Sequence, residues 1–199
     1  QKILEEKYRD PYTVLSYYNE NAAEKDLIQS AFIVMDYTGT VQAVVGGLGE
    51  KPGDGAFNRA TQATRSPGST MKPISTYSLA VQKNLITYST LIPDEAINIG
   101  TQDEPQIWPQ NYGEVWGDGT LRTAWYGVQH SLNTLAVRVG RMNTTKAMYT
   151  QLTQMLGFTT LVESDIALSP LCLGALTNGA KLVEVAGAYQ IFGNGGVYY

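Results

Sequence analysis

The chain has 199 residues, 43% hydrophobic and only 16% charged, so it has ample material for a core and a surface poorer in charge than the roughly 25% usual in globular domains. Its 14 basic and 18 acidic residues leave a net charge of −4, a poor match to nucleic acid. With one cysteine and one histidine, an internal disulfide framework, a Cys-rich zinc site and a His-rich metal site are all excluded.

Residues 1–29 are polar with mostly helical spacing, interrupted at 13–18, and read as a lead-in to one domain over 30–199. No run approaches the roughly 18 apolar residues that span a membrane, and the polar start has no signal-peptide pattern. A β-hairpin is predicted next, with strands over 31–36 and 41–45 around Tyr37-Thr38-Gly39-Thr40. Its nearly unbroken apolar strands predict cover on both faces. The glycine-rich loop over 46–55 lacks G-x-x-x-x-G-K-[ST] and is not read as a phosphate loop. After Pro67-Gly68, the spacing of Ile74, Tyr77, Leu79, Ala80 and Val81 predicts a helix to about Asn84.

Residues 85–119 are rich in turn signals. Thr120 is expected to cap a helix through Leu121, Ala124, Trp125 and Val128, with a second helix over 134–141. Thr144 or Thr145 caps a third, carrying Met148, Leu152, Met155 and Leu156 and stopped by Gly157. A last helix over 181–192 ends at Gly193-Asn194-Gly195-Gly196. The class is α+β: an antiparallel sheet, incomplete in this chain, with a helical block inserted after its first strands. Both ends read as cuts in a larger protein.

Chemistry concentrates in two short motifs. Ser69-Thr70-Met71-Lys72 is an S-x-x-K at the head of the helix that follows Pro67-Gly68. Residues i and i+3 share a helix face, so the Lys72 amine can reach the Ser69 hydroxyl. A serine hydroxyl needs a base to become a nucleophile, and a lysine is such a base only with a depressed pKa. Amides of a first helical turn lack internal partners, so the Ser69 N–H is free to stabilise an oxyanion. The second motif, Ser131-Leu132-Asn133, links two predicted helices 62 residues further on, where it can fold back beside the first. Either motif alone is common by chance; together, in these positions, they carry the argument.

S-x-x-K, S-D-N and K-T-G occur together as one signature of serine acyl transfer. The extended match is closer still. Phe57-Asn58-Arg59-Ala60 with residues 65–73, Thr120-Leu121-Arg122-Thr123-Ala124 with Ser131-Leu132-Asn133-Thr134, and Leu173-Gly174 with residues 185–196 resemble the transpeptidase domain of class A penicillin-binding proteins, within the penicilloyl-serine transferases. The resemblance spans about residues 30–199. It implies a penicillin-binding/serine β-lactamase-like fold, with Ser69 as the acylated nucleophile and Lys72 as its general base. Ser131 would relay a proton to the leaving amine, and Asn133 would hold Lys72 and bind the substrate backbone. The implied reaction cross-links peptidoglycan stem peptides from a lipid-linked precursor, without cofactor or metal, and β-lactams acylate the same serine. The implied location is the outer face of a bacterial cell membrane, with membrane contact only through an upstream anchor. No Lys-Thr-Gly is present in these 199 residues, so a missing segment or companion chain is expected to supply that strand. The alternatives are a D,D-carboxypeptidase, a serine β-lactamase, or a sensor that binds β-lactams or wall fragments without turnover.

The remaining candidates have plainer readings. His130 is read as structural or surface, Asp94-Glu95 and Asp103-Glu104 as solvated loop acids, and Cys172 as a buried small apolar residue. Trp108, Trp116, Trp125, Tyr112 and Tyr126 read as packing residues, with Trp116 and Tyr112 the candidates for a substrate groove wall.

Overall fold

A computed structural model describes residues 1–23, 27–51 and 53–199. Positions 24–26 of the predicted helical lead-in and position 52 of the glycine-rich loop lie outside the described residues. In chain order the elements are α1 (Lys2–Arg9), α2 (Pro11–Val14), α3 (Ser16–Asn19), β1 (Phe32–Met35), β2 (Val41–Val45), β3 (Thr64–Arg65), α4 (Ser78–Gln82), β4 (Leu91–Pro93), β5 (Ile97–Asn98), β6 (Ile107–Trp108) and β7 (Leu121–Thr123). There follow α5 (Ala124–Gln129), α6 (Asn133–Asn143), α7 (Thr145–Thr150), α8 (Leu168–Leu173), β8 (Ala180–Lys181) and α9 (Leu182–Tyr189). The chain divides into two compact units, residues 1–65 with 180–199, and residues 66–179.

In the first unit β1 and β2 form the predicted antiparallel hairpin, and β3 pairs with β8. The hairpin turn is held by one carboxylate. Asp36 Oδ1 accepts from Thr38 N, Thr38 Oγ1 and Thr40 N at 2.8, 2.7 and 3.1 Å, and Gly39 takes the positive φ the turn requires. The Thr38 hydroxyl is the largest of the influences that hold the Asp36 carboxyl down to about 2. α1 packs on β2, where Tyr8, Val45 and Leu48 form a small core under Leu4, Val14 and Leu15. α9 packs on β1. The expected cover on both faces is not found: Ala43 and Val45 are buried, whereas Phe32 and Val34 remain 48% and 42% exposed.

The second unit is built around α6, against which α8, α4, α5, α7 and the segment Lys72–Tyr77 all pack. Its core joins Tyr77, Ala80, Ile86, Ile92, Ala124, Leu135, Ala136 and Val139, with Leu132 and Leu173 at its margin. Each fully buried aliphatic side chain here stabilises the unit by about 1.5–3 kcal/mol. The helix expected from Thr120 starts later. Residues 121–123 instead pair with β4, and Thr123 is the cap, its hydroxyl accepting from Tyr126 N at 3.1 Å. Backbone pairing with β4 captures a segment whose local pattern alone reads as helical. The turn-rich stretch likewise contains β4 and the antiparallel pair β5–β6, and α8 is an element the sequence pattern does not predict. Thr144, not Thr145, caps α7 by accepting from Ala147 N.

α6 and α8 meet closely at Gly140, where an added Cβ would lie 2.2 Å from Cys172 Sγ. Cys172 is buried, as expected, and burial pushes its thiol up to about 11. We expect Gly140→Ala to cost about 2 kcal/mol through overpacking and Cys172→Ala to remove the clash. Denaturant titrations of both single variants and the double variant check this; additive losses would contradict it.

Candidate active site

The segment that carries Ser69 and Lys72 is not a regular α-helix. Gly68–Thr70 forms a 3-10 turn, Lys72–Tyr77 a π-helix, and only then does α4 begin. Pro73 explains the widening. It has no N–H, and its ring would strike the carbonyl four residues back in an α-helix. The wide turn changes which carbonyls the ladder satisfies, and side chains from two other elements meet two of them. Ile74 O accepts from Gln151 Nε2 at 2.7 Å and from Ser78 Oγ at 2.8 Å, and Thr76 O accepts from Asn143 Nδ2 at 2.7 Å. Asn143 and Gln151 are both buried.

The 3-10 turn is braced from α8. Gly174, at φ +77, ends that helix so close to Gly68 that an added Cβ would lie 2.2 Å from Gly68 O. A side chain there would both strain the backbone and displace the turn that carries Ser69. Ser66 Oγ donates to Gly174 O at 2.7 Å across the same contact.

Lys72 is 2% exposed, and its amine faces three oxygens. Lys72 Nζ donates to Ser131 O at 2.6 Å, Asn133 Oδ1 at 2.6 Å and Ser131 Oγ at 3.0 Å. Ser131 presents both oxygens because it sits at φ +52 in the left-handed region, which a non-glycine residue occupies at a cost of about 1–2 kcal/mol. Burial pulls the Lys72 ammonium down from the ordinary lysine value to about 8. Because the folded state lowers this pKa, the protein gains stability from this group as pH rises above about 8 toward 10.5. Below about 8 it carries the full cost of a buried charge, about 3 kcal/mol.

The structure therefore brings Lys72, Ser131 and Asn133 together. Ser69 lies three residues upstream on the exposed side of the turn, and its hydroxyl is not among the hydrogen-bond partners of Lys72 in the described residues. Tyr112 is 96% exposed and Trp116 51%, on the loop that begins at Gln110 and Asn111. Those two loop residues touch the cluster directly: Asn133 Nδ2 donates to Gln110 O, and Asn133 N to Asn111 Oδ1, both at 2.8 Å. His130 is exposed and stacks on Tyr126 with ring centroids 4.0 Å apart. Asp103 and Glu104 are exposed, but Asp94 is not the solvated loop acid expected. It is 7% exposed, and its Oδ1 accepts from Thr134 and Asn111 inside the fold. Among the described residues no group of His, Cys, Asp and Glu side chains is placed to hold a metal.

The family model for the penicillin binding protein transpeptidase domain matches residues 29–199. The chain belongs to that family. It is 34% identical over 194 residues to penicillin-binding protein 4 of Bacillus subtilis, covering 95% of this chain and 29% of that protein. Among solved structures, penicillin-binding protein 1A from Haemophilus influenzae superposes with a TM-score of 0.67 at 26% identity, covering 83% of this chain and 23% of that one. Penicillin-binding protein A from M. tuberculosis, solved as an imipenem acyl-enzyme complex, has the same fold, with a TM-score of 0.65 at 19% identity, covering 87% of this chain and 48% of that one. The chain thus spans just under a third of the Bacillus relative's length. The helices and short antiparallel strands described above are those of the penicillin-binding/β-lactamase-like transpeptidase fold, with its sheet incomplete.

We expect Asn143→Leu to lower stability by about 1–2 kcal/mol, since it removes the side-chain donor from Thr76 O, and Gln151→Leu to cost less, about 1 kcal/mol, since Ile74 O keeps the Ser78 hydroxyl. Equilibrium unfolding measures it; wild-type stability in both variants would mean the turn does not need them.

Proposed function

We propose that this chain carries the acylation half-site of a serine D,D-transpeptidase that cross-links peptidoglycan stem peptides, with Ser69 as nucleophile. The observation that carries the reading is the buried Lys72 amine, held by Ser131 and Asn133 three residues after an exposed serine. As an ammonium, Lys72 offers three N–H donors to three oxygens. As a neutral amine it has two, and these suffice for the two carbonyl-type acceptors, Ser131 O and Asn133 Oδ1. The nitrogen lone pair is then left for a hydroxyl proton. With its pKa near 8, about a tenth of Lys72 is neutral at pH 7.

In the proposed reaction the neutral amine takes the Ser69 hydroxyl proton as Oγ bonds to the carbonyl carbon of the penultimate D-Ala. The tetrahedral intermediate collapses by breaking the C–N bond. The leaving amine of the terminal D-Ala receives a proton from Lys72 through Ser131 Oγ, 3.0 Å away. An amine of a second stem peptide then attacks the Ser69 ester, loses a proton to the same base and releases the serine hydroxyl. The second hydrogen on Asn133 Nδ2, beyond that donated to Gln110 O, remains for the substrate's backbone carbonyl. Trp116 and Tyr112 are proposed to wall the groove. A segment carrying Lys-Thr-Gly, from outside these 199 residues, would complete the oxyanion hole and the carboxylate site. β-Lactams would open on Ser69 and remain there. This reading places the working protein on the outer face of the bacterial cell membrane; no helix of the described residues is long and apolar enough to cross it.

In the intact protein, Ser69→Ala should abolish covalent labelling by a fluorescent penicillin without unfolding it; a labelled, folded variant would displace Ser69 as nucleophile. Lys72→Ala should slow acylation by about 10²–10⁴-fold. In the wild type the acylation rate should rise about tenfold from pH 7 to pH 9, with a midpoint near 8, because deprotonation makes the base. A flat stopped-flow profile over that range would remove Lys72 from the role.

A further inference from the structure

We propose that Asp94 and Asn111 are positioning residues for acylation, setting the orientation of the Asn133 carboxamide and through it the Lys72 amine. The inference rests on the reading of Lys72 as the base. It starts from a buried carboxylate in a loop. Among the described residues no cation pairs with Asp94; the neighbouring Arg138 pairs with Glu95 at 2.9 Å instead. Asp94 Oδ1 accepts from Thr134 Oγ1 at 2.6 Å and from Asn111 Nδ2 at 3.0 Å. The backbone around it is pinned where Asp94 N donates to Thr120 O and Gly119 N donates to Asp94 O. Gly117 lies so close that an added Cβ would sit 2.1 Å from Asp94 O.

A carboxylate only accepts, so it dictates which end of the Asn111 side chain faces it. The NH₂ must point at Asp94, which leaves Asn111 Oδ1 to accept from Asn133 N at 2.8 Å and Thr134 N at 3.3 Å. These are first-turn amides of α6, whose own cap position, Leu132, has no side chain able to receive them. The next step repeats the logic. Gln110 O, the carbonyl beside Asn111, can only accept, and it takes Asn133 Nδ2 at 2.8 Å. Asn133 Oδ1 is thereby turned to Lys72 Nζ at 2.6 Å. The buried carboxylate thus fixes the order of the Asn111 carboxamide, which holds the backbone at Asn133, while the Gln110 carbonyl beside it fixes the order of the Asn133 carboxamide that ends on the Lys72 amine. Replacing Asp94 by a neutral amide lets Asn111 turn over and set its NH₂ against the α6 amides, which loosens Asn133.

The test compares four forms of the intact protein: wild type, Asp94→Asn, Asn111→Asp, and the double variant that exchanges the two. In the exchange, the amide at 94 donates to the carboxylate at 111, which still accepts from the α6 amides. Acylation by a penicillin is followed by stopped flow, separating the first-order step from the preceding binding constant, with rates referred to the folded fraction and melting temperatures recorded. Each single variant should lose at least fivefold in the first-order step, and the exchange should return to within threefold of wild type. A single variant that melts like wild type and acylates within twofold of it overturns the proposal. So does an exchange variant that folds yet stays as slow as the single ones. Should the single variants not fold, the exchange is judged alone by the same threefold and fivefold limits. A Ser69→Ala control that still labels would instead bring down the functional reading on which the proposal rests.

Discussion

The chemistry proposed for this unit depends on keeping an amine out of water. Burial disfavours the ammonium form of Lys72, while the three oxygens around it favour it. Burial pulls the amine down from the ordinary lysine value to about 8. That value places the group within reach of both protonation states near neutral pH, as a base that must also return its proton requires. Such a buried amine costs stability, and the fold meets the cost with the α6 core rather than with a counter-charge. Among the described groups that touch Lys72 Nζ none is a carboxylate.

Several backbone irregularities serve that one placement. The π-helix over Lys72–Tyr77, the left-handed Ser131 and the near contact of Gly174 with Gly68 all deviate from regular geometry. Each is held by packing or hydrogen bonds from another element: Asn143 and Gln151 on the wide turn, Ser66 on Gly174, and Lys72 itself on Ser131. Deviations of this kind persist only where surrounding structure over-determines them, and they gather at functional sites.

Much of this is legible in the sequence, and the boundary of legibility is physical. The cluster of Lys72, Ser131 and Asn133 announces itself because residue type and short spacing carry the signal, and the hairpin over 31–45 because its strands and turn are local. Gln151 carries a signal too: it lies three residues after Met148, on the buried face of a helix, where a polar side chain demands a partner. Pro73 foreshadows an irregular turn but not its width. β7 escapes a local reading because its pairing with β4 reaches across a loop of about thirty residues, which no local pattern reports. Asp94 looks like a solvated loop acid for the same reason. Its burial depends on Thr134 and Asn111, 40 and 17 residues away. The exposure of Phe32 and Val34 likewise cannot be read from their apolar character, since strand composition does not say what covers each face.

The most direct measurement is a heteronuclear NMR titration of the intact protein labelled at lysine Nζ, with the Lys72 signal assigned by its loss in Lys72→Met. The account predicts a midpoint near 8, well below the ordinary lysine value. A midpoint at 10 or above would mean that the amine is charged throughout the working range, and the base at the centre of this account would be gone.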